Sequence, residues 1–186
     1  MAAMSRDKRQ QNMTEQAGTK PADVIVRGNA AGFLQEVING RHHLRADEPT
    51  SVGGGGAAPG PYDYLLIGLG ACTSMTVGFY ARSRKWPLDN ITVSLRHSRI
   101  HAKDCAECET KEGMLDRIDV EVGLTGALTE EQRAKLMEIA GKCPVHRTLT
   151  SEINIRRRAA PNATAPPTTL AENASTDFEI RKENKQ

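Results

Sequence analysis

Aromatic residues are scarce in this sequence, making up only 4% of its 186 positions, and charge of either sign is nearly balanced. The formal net charge at pH 7 is +2, so no strongly basic surface is expected for binding phosphate backbones. Few aromatic side chains also means few platforms on which unpaired bases could stack. Together, these two absences argue against nucleic acid as a partner.

The sequence also shows neither the pattern of a secretory signal nor a long uninterrupted apolar run. The basic amino-terminal residues are not followed by an apolar segment, and no stretch is expected to be long enough to span a membrane. We therefore predict a cytoplasmic protein with no membrane partner. In that compartment the four cysteines are expected to be redox-active, metal-binding or simply buried, rather than joined in a structural disulfide framework.

Composition divides the chain into a folded middle and two polar ends. Residues 1–21 are polar and aperiodic, and residues 159–186 begin with a segment rich in alanine, proline and threonine and continue polar and charged. Such composition cannot bury enough apolar surface to offset the entropy of ordering, so we predict two disordered tails. Residues 22–158 remain as one domain, long enough to build a hydrophobic core.

The longest apolar stretch runs from Tyr62 to Lys85 and has Cys72 near its middle. Its apolar side chains leave no clearly polar face, so we predict a helix that is buried nearly all round. The other predicted elements are three short antiparallel strands between residues 24 and 46, two long paired strands at 91–100 and 114–124, an amphipathic helix that begins after Thr129, and a last strand at 151–157. This order of elements is an α+β pattern.

A helix that is apolar on all sides needs more cover than one sheet and one other helix supply. Two copies of the chain could pack these helices together between their sheets. Gly68, Gly70 and Gly78 would then let the two backbones approach closely. We therefore expect a homodimer.

Cys72 and Cys143 are both predicted on apolar helix faces of one core. Two buried cysteines that never react would produce the same pattern, so burial alone does not distinguish packing from chemistry. The residues after Cys143 favour chemistry, because His146 and Arg147 follow within about one helical turn. Cations so close to a thiol lower its pKa and favour the reactive thiolate.

A second group of chemically active residues has the spacing His97-x3-His101-x3-Cys105-x2-Cys108. Thiolates and imidazoles are zinc ligands, which makes a metal site one interpretation. On a strand, however, the two histidines would lie about 13 Å apart, too far to bind one ion unless the strand bends. A surface redox pair and an unoccupied pair of loop thiols remain open as well. We assign no metal and no cofactor.

One cysteine-containing motif precedes the two long strands in the sequence, and another follows them. They read Gly68-Leu-Gly-Ala-Cys72-Thr-Ser-Met-Thr76 and Lys142-Cys143-Pro144-Val145-His146-Arg147-Thr148-Leu149. Taken together, they resemble the OsmC/Ohr family, in its OsmC-like branch. The resemblance runs from about Gly40 to Arg156.

The resemblance implies an intertwined homodimer in which antiparallel sheets pack around two central helices. It also implies a thiol-dependent peroxidase acting on organic hydroperoxides, with Cys72 as the peroxidatic thiolate and Cys143 as the resolving thiol. An external dithiol would then reduce both cysteines. The alternative is a non-catalytic redox sensor or small-molecule-binding protein on the same fold, with or without a metal at residues 97–108.

In the family, an arginine on an early strand and a glutamate at the start of the central helix hold the reactive cysteine. Here Tyr62 occupies the position that matches the glutamate, and a carboxylate, Asp63, follows one residue later. Arg45 and Arg41 are candidates for the arginine, with Arg45 favoured because it lies nearer the next loop, and Arg147 is a substitute. A shorter or displaced carboxylate would orient the arginine differently and slow peroxide turnover.

Overall fold

The computed structural model describes residues 22–160. Both predicted tails therefore remain sequence predictions, because residues 1–21 and 161–186 lie outside the described part. By its internal contacts the chain divides into one unit that ends at Glu152 and a second that starts at Ile153. Residues 153–160, the described part of the second unit, contain no helix or strand.

The prediction of a strand at 151–157 is therefore wrong for the single chain. The prediction rested on alternation of Ile153 and Ile155 with polar residues. Alternation shows only that a segment can form a strand, whereas a strand exists when a neighbour supplies its hydrogen bonds. No strand within residues 22–160 pairs with this segment.

Three short strands form the predicted antiparallel meander. They are β1 (Ile25–Arg27), β2 (Gln35–Asn39) and β3 (His42–Ala46), paired in the order β1-β2-β3. Gly40, at φ +56°, forms part of the tight turn between β2 and β3. Large apolar side chains that are exposed in and beside this sheet are Val24, Ile25, Val26, Phe33, Leu34 and Leu44. Much of the sheet's apolar surface is thus uncovered within one chain.

The two long strands form a separate hairpin, as predicted. Twelve consecutive residue pairs join β4 (Asn90–His101) to β5 (Met114–Thr125) in antiparallel register. Along the first half of β4 the half-buried side chains alternate with exposed ones, as a strand with one covered face requires. Those half-buried side chains are Ile91, Val93 and Leu95.

The helix predicted around Cys72 is α1, Pro61–Ser83. One side of it is buried, through the residues Leu69, Gly70, Thr73, Val77, Gly78 and Ala81. The other side is open, with Met75 71% and Phe79 68% exposed. The expectation of a helix buried nearly all round is therefore wrong for the single chain, which covers only one face.

By length and composition alone, Pro61–Arg84 could cross a membrane. The expectation that no stretch reaches the necessary length is wrong on this criterion. A central helix of a globular protein passes the same test, and α1 packs against β4 and against both later helices.

The helix predicted after Thr129 is α2, Glu130–Ala140, and a short helix, α3, follows at Pro144–Leu149. The predicted capping box is present: the Gln132 backbone N–H donates to the Thr129 hydroxyl at 3.2 Å, and the Thr129 N–H donates to the Gln132 side chain at 3.0 Å. The buried core joins α1 to α2 through Val77, Ala81, Leu136 and Ala140. Antiparallel sheets with helices packed on the hairpin confirm the α+β class.

Candidate functional site

Cys143 is fully buried, as predicted, but it follows α2 rather than belonging to it. The helix stops at Ala140, and Cys143 is the residue that caps the amino-terminal end of α3. Its sulfur accepts a hydrogen bond from the Thr73 hydroxyl at 3.5 Å and another from the His146 backbone N–H at 3.2 Å. A loop between two helices thus brings this sulfur against α1.

Burial and hydrogen bonding act in opposite directions on the Cys143 thiol. Burial raises its pKa, because the charged thiolate loses its hydration. Hydrogen bonds from the Thr73 hydroxyl and the His146 backbone N–H stabilise the thiolate, and the Cys72 thiol and the Val145 backbone N–H contribute in the same direction. These donors outweigh burial, so the pKa of Cys143 lies below its ordinary value.

Cys72 is half-buried on α1 and directly precedes Thr73. Thr73 donates its hydroxyl to the Cys143 sulfur, and the Cys72 thiol contributes to lowering the pKa of Cys143. Helical spacing also puts Cys72 on the same side of α1 as Met75 and Phe79, the open apolar face. The pair thus consists of an accessible cysteine and an enclosed one.

The cause of the lowered pKa differs from the sequence-based expectation. Nearby cations were expected to lower the pKa of Cys143, but the largest favourable contributions come from neutral donors. The His146 contribution comes from its backbone N–H, not from its imidazole. Arg147 is exposed on α3, where its backbone N–H donates to the Cys143 carbonyl at 3.1 Å.

The structure does not bring the predicted carboxylate and arginine together. Asp63 accepts a hydrogen bond from the Gly60 N–H at 2.8 Å and so caps its own helix. Arg45 is exposed on β3, where its carbonyl accepts a hydrogen bond from the Tyr64 hydroxyl at 2.5 Å. Among the ion pairs formed within residues 22–160, none joins Asp63 to Arg45 or Arg147.

Thr73 is the site residue that sequence reasoning missed. It lies within the Cys72 motif, but nothing in the sequence pattern distinguishes a structural threonine from a hydrogen-bond donor to a thiolate. The available signal was its place in a helix predicted to be buried, where a hydroxyl needs a partner. Its partner comes from a segment 70 residues away in the chain.

Asp47 is buried and organises the glycine-rich loop before α1. Its carboxylate accepts hydrogen bonds from the Ala57 N–H at 3.0 Å and from the Glu48 N–H at 2.9 Å. The bond from Ala57 is the largest cause of its lowered pKa. Asp47 therefore has a structural role next to the start of α1.

The metal-site hypothesis finds no support in the geometry of residues 97–108. The His97 Nε2 atom lies 2.9 Å from Asp116 Oδ1, and its ring stacks on Tyr62 with centroids 4.4 Å apart. Cys105 and Cys108 are joined in a disulfide, so neither is a thiolate ligand. Residues 22–160 contain no group of three or more His, Cys, Asp and Glu side chains arranged to hold a metal ion.

These features define an α+β protein whose central helix presents one cysteine beside a second, buried cysteine. The sequence matches the family model described as OsmC-like protein over residues 53–157, which is more than half of the chain. The chain belongs to the OsmC-like family, as its two cysteine motifs predicted.

Solved structures of this family have the same fold. An OsmC-like protein from Mycoplasma pneumoniae matches with a TM-score of 0.54 at 20% identity, covering 71% of this chain and 89% of that chain. An organic hydroperoxide resistance protein OsmC from Legionella pneumophila matches with a TM-score of 0.51 at 20% identity, covering 71% and 92%. Similarity at this level of identity establishes the fold alone. The comparison with curated proteins gives no match.

Proposed function

We propose that this chain is a thiol-dependent peroxidase that reduces organic hydroperoxides through Cys72 and Cys143. The observation that carries the proposal is the pairing of an accessible thiol with a buried sulfur whose pKa is lowered by hydrogen bonds. A solved relative described as an organic hydroperoxide resistance protein supports the choice of substrate. The reaction needs no metal and no cofactor, and we place it in the cytoplasm, where thiols are kept reduced.

In the first step Cys143 holds the negative charge and Cys72 supplies the attacking sulfur. On this proposal the buried Cys143 thiolate takes the proton of the Cys72 thiol, which is among the groups that lower the pKa of Cys143. The Cys72 thiolate then attacks the terminal oxygen of ROOH, the O–O bond breaks, and Cys72 becomes a sulfenic acid. The alkoxide leaves as ROH after taking the proton from Cys143, which returns to the thiolate.

In the second step the restored Cys143 thiolate attacks the Cys72 sulfur. A Cys72–Cys143 disulfide forms, and the displaced hydroxide takes a proton from solvent and leaves as water. An external dithiol then returns two electrons by thiol–disulfide exchange. Thr73 supports both steps, because its hydroxyl holds the Cys143 sulfur beside α1.

The proposed enzyme works as a homodimer. Cys72 shares the open face of α1 with exposed apolar side chains, namely Leu65, Met75 and Phe79. A second copy packed on this face would enclose Cys72 in an apolar pocket suited to an organic hydroperoxide. It would also allow an arginine of the other copy, with Arg45 the first candidate, to stabilise the leaving alkoxide.

Addition of one equivalent of cumene hydroperoxide to the fully reduced protein tests the proposal. We expect loss of both thiol hydrogens and a Cys72–Cys143 disulfide in the peptide mass spectrum. Cys72→Ser should reduce peroxide consumption with dithiothreitol to the background rate, because a serine hydroxyl is not ionised at neutral pH. Cys143→Ser should form the Cys72 sulfenic acid more slowly, because the proton acceptor is lost, but should leave it unresolved, so that dimedone traps it.

The matched control for these variants is the double substitution Cys105→Ser/Cys108→Ser, which removes two cysteines without touching the proposed pair. It should consume peroxide at the wild-type rate. Equal consumption by Cys72→Ser and the wild-type protein would contradict the peroxidase proposal.

A redox sensor on the same fold is the second candidate, and one observation favours it. Asp63 caps α1, and no ion pair among the described residues joins it to an arginine at the start of that helix. Without such a cation the alkoxide would leave slowly. A sensor forms the same disulfide in a single turnover but shows no sustained peroxide consumption with excess dithiothreitol, and that result would select it.

A further inference from the structure

The loop that joins β4 to β5, residues 102–113, contains a disulfide that the peroxide reaction proposed above does not use. It joins Cys105 to Cys108, whose Cα atoms are 5.5 Å apart. Both cysteines are half-buried rather than enclosed in the core. A thiolate arriving from solvent can therefore approach this bond, in contrast to the fully buried Cys143.

This disulfide contributes little as a structural crosslink. The stabilisation that a disulfide gives grows with the number of residues it encloses, and only two residues lie between Cys105 and Cys108. The ends of the loop are already joined by backbone pairing. His101 lies opposite Met114, and the Ala102 N–H donates to the Gly113 carbonyl at 2.9 Å. The hairpin therefore stays closed when the two thiols are reduced.

A cleft of about 550 Å³ lies beside the two cysteines, a volume that accommodates a small molecule. Its lining includes Cys105, Cys108 and four acidic residues, namely Asp104, Glu107, Asp116 and Asp119. Arg117 also lines the cleft, but its guanidinium is paired with Asp119 at 2.7 Å. Asp104 and Glu107, the acids next to the cysteines, form no ion pair with another residue of 22–160.

The charge around the cleft limits which thiols can react there. Four acidic side chains and one basic side chain line the cleft, and although Asp116 pairs with Arg99 and Asp119 with Arg117, Asp104 and Glu107 leave the charge beside the cysteines negative. The resulting negative potential opposes an attacking thiolate, most strongly one that also carries a carboxylate, and an ammonium group on the same molecule offsets that repulsion. Because these charges are exposed, salt should screen both effects.

We propose that Cys105–Cys108 is a second redox site, which exchanges with external neutral or cationic thiols and dithiols independently of Cys72 and Cys143. The thiolate of an external dithiol attacks one sulfur, the Cys105–Cys108 bond breaks, and a mixed disulfide forms while the other cysteine leaves as a thiolate. The second thiol of the dithiol then displaces the first cysteine. The external dithiol leaves oxidised, and the two protein thiolates take up the two protons and retain two electrons.

The double variant Cys72→Ser/Cys143→Ser tests this proposal, since Cys105 and Cys108 are then the protein's remaining cysteines. Incubation with dithiothreitol, an iodoacetamide quench and peptide mass spectrometry report the reduced fraction. We expect full reduction with an unchanged far-ultraviolet circular dichroism spectrum, and reoxidation by hydroxyethyl disulfide. If the double variant does not fold, the reduced fraction of the peptide that contains Cys105 and Cys108 is measured in the wild-type protein instead.

The dependence of the rate on salt tests the substrate class. The attacking species is the thiolate, so cysteamine reacts as a zwitterion, 2-mercaptoethanol as a monoanion and 3-mercaptopropionate as a dianion. Between about 20 mM and 500 mM salt, reduction by 3-mercaptopropionate should accelerate about threefold, reduction by 2-mercaptoethanol should accelerate less, and reduction by cysteamine should change little. Reduction that requires unfolding in urea would overturn the redox site, and an equal salt dependence for all three thiols would overturn its preference. Neither outcome depends on peroxidase activity, because the variant lacks Cys72 and Cys143.

Discussion

Thr73 illustrates how a single buried hydroxyl can determine the chemistry of this site. Thr73 is only 2% exposed, and its hydroxyl donates a hydrogen bond to the Cys143 sulfur at 3.5 Å. A buried hydroxyl that lacks a partner is costly, so this hydrogen bond constrains both side chains. Burial by itself raises the pKa of Cys143, so the thiolate depends on donors such as Thr73.

Replacement of Thr73 by valine should therefore raise the pKa of Cys143. Valine has nearly the shape of threonine but cannot donate a hydrogen bond. Fewer donors then oppose the rise in the pKa of Cys143 that burial causes. We expect an upward shift of the pKa, since the thiolate loses a hydrogen-bond donor. Absorbance of the thiolate at 240 nm against pH, in a Cys72→Ser background, measures the shift.

The conservative variant Thr73→Ser keeps the hydroxyl and serves as the control for this titration. The titration midpoint of Cys143 in this variant should stay near the midpoint in the protein that keeps Thr73. A midpoint that is the same for the valine and serine variants would show that the hydroxyl does not stabilise the thiolate.

At the scale of elements, the junction between β5 and α2 positions the helix that precedes Cys143. Gly126 adopts φ +132° there, and an added Cβ would lie 2.2 Å from the Pro87 carbonyl oxygen. From α2, the Arg133 guanidinium donates to the Leu124 carbonyl at 2.7 Å and to the Gly126 carbonyl at 3.0 Å. The hairpin and α2 are thus joined where the chain passes between them.

Gly126→Ala should destabilise the protein by about 1–3 kcal/mol, because the side chain would meet the backbone of residue 87 and φ would be strained. Urea denaturation should show a lower midpoint with an unchanged slope. Gly123→Ala is the matched control in β5, since its Cβ would lie 3.7 Å from the nearest atom, in ordinary contact with Thr92. Equal midpoints for the two variants would contradict the importance of this junction.

At the scale of the whole molecule, one chain leaves apolar surface open in two places. One face of α1 is uncovered, and so are large apolar side chains in and beside the β1–β3 sheet. Buried apolar surface stabilises a protein by roughly 25 cal/mol per Å², so surfaces of this kind favour association. The homodimer predicted from the sequence remains a proposal, and this exposed surface supplies its physical motive.

Phe79→Glu should weaken such a dimer by about a hundredfold or more, because it introduces a charge into the proposed contact between the two α1 helices. Sedimentation at micromolar concentration should give a dimeric mass for the wild-type protein and a monomeric mass for the variant. Met137→Glu changes an exposed apolar residue of α2 in the same way and should leave the dimer intact. A monomeric mass for the wild-type protein would contradict the dimer.

The sequence by itself determined the elements and the family. Period-2 alternation placed both long strands, an apolar run placed α1, and Thr129 marked the start of α2, because these signals depend on residues that are neighbours in the chain. Alternation was misleading at 151–157, where no described strand offers hydrogen bonds. The two cysteine motifs identified the OsmC-like family, since each contains its own local pattern.

Only the tertiary structure decided what surrounds each cysteine. Thr73 and Cys143 are 70 residues apart in the chain, and no local pattern specifies that the hydroxyl of one donates to the sulfur of the other. The structure also showed that Cys105 and Cys108 are bonded, and that Asp63 caps its own helix instead of meeting an arginine. A thiol's pKa depends on burial and on nearby donors, and both are set by packing between distant segments.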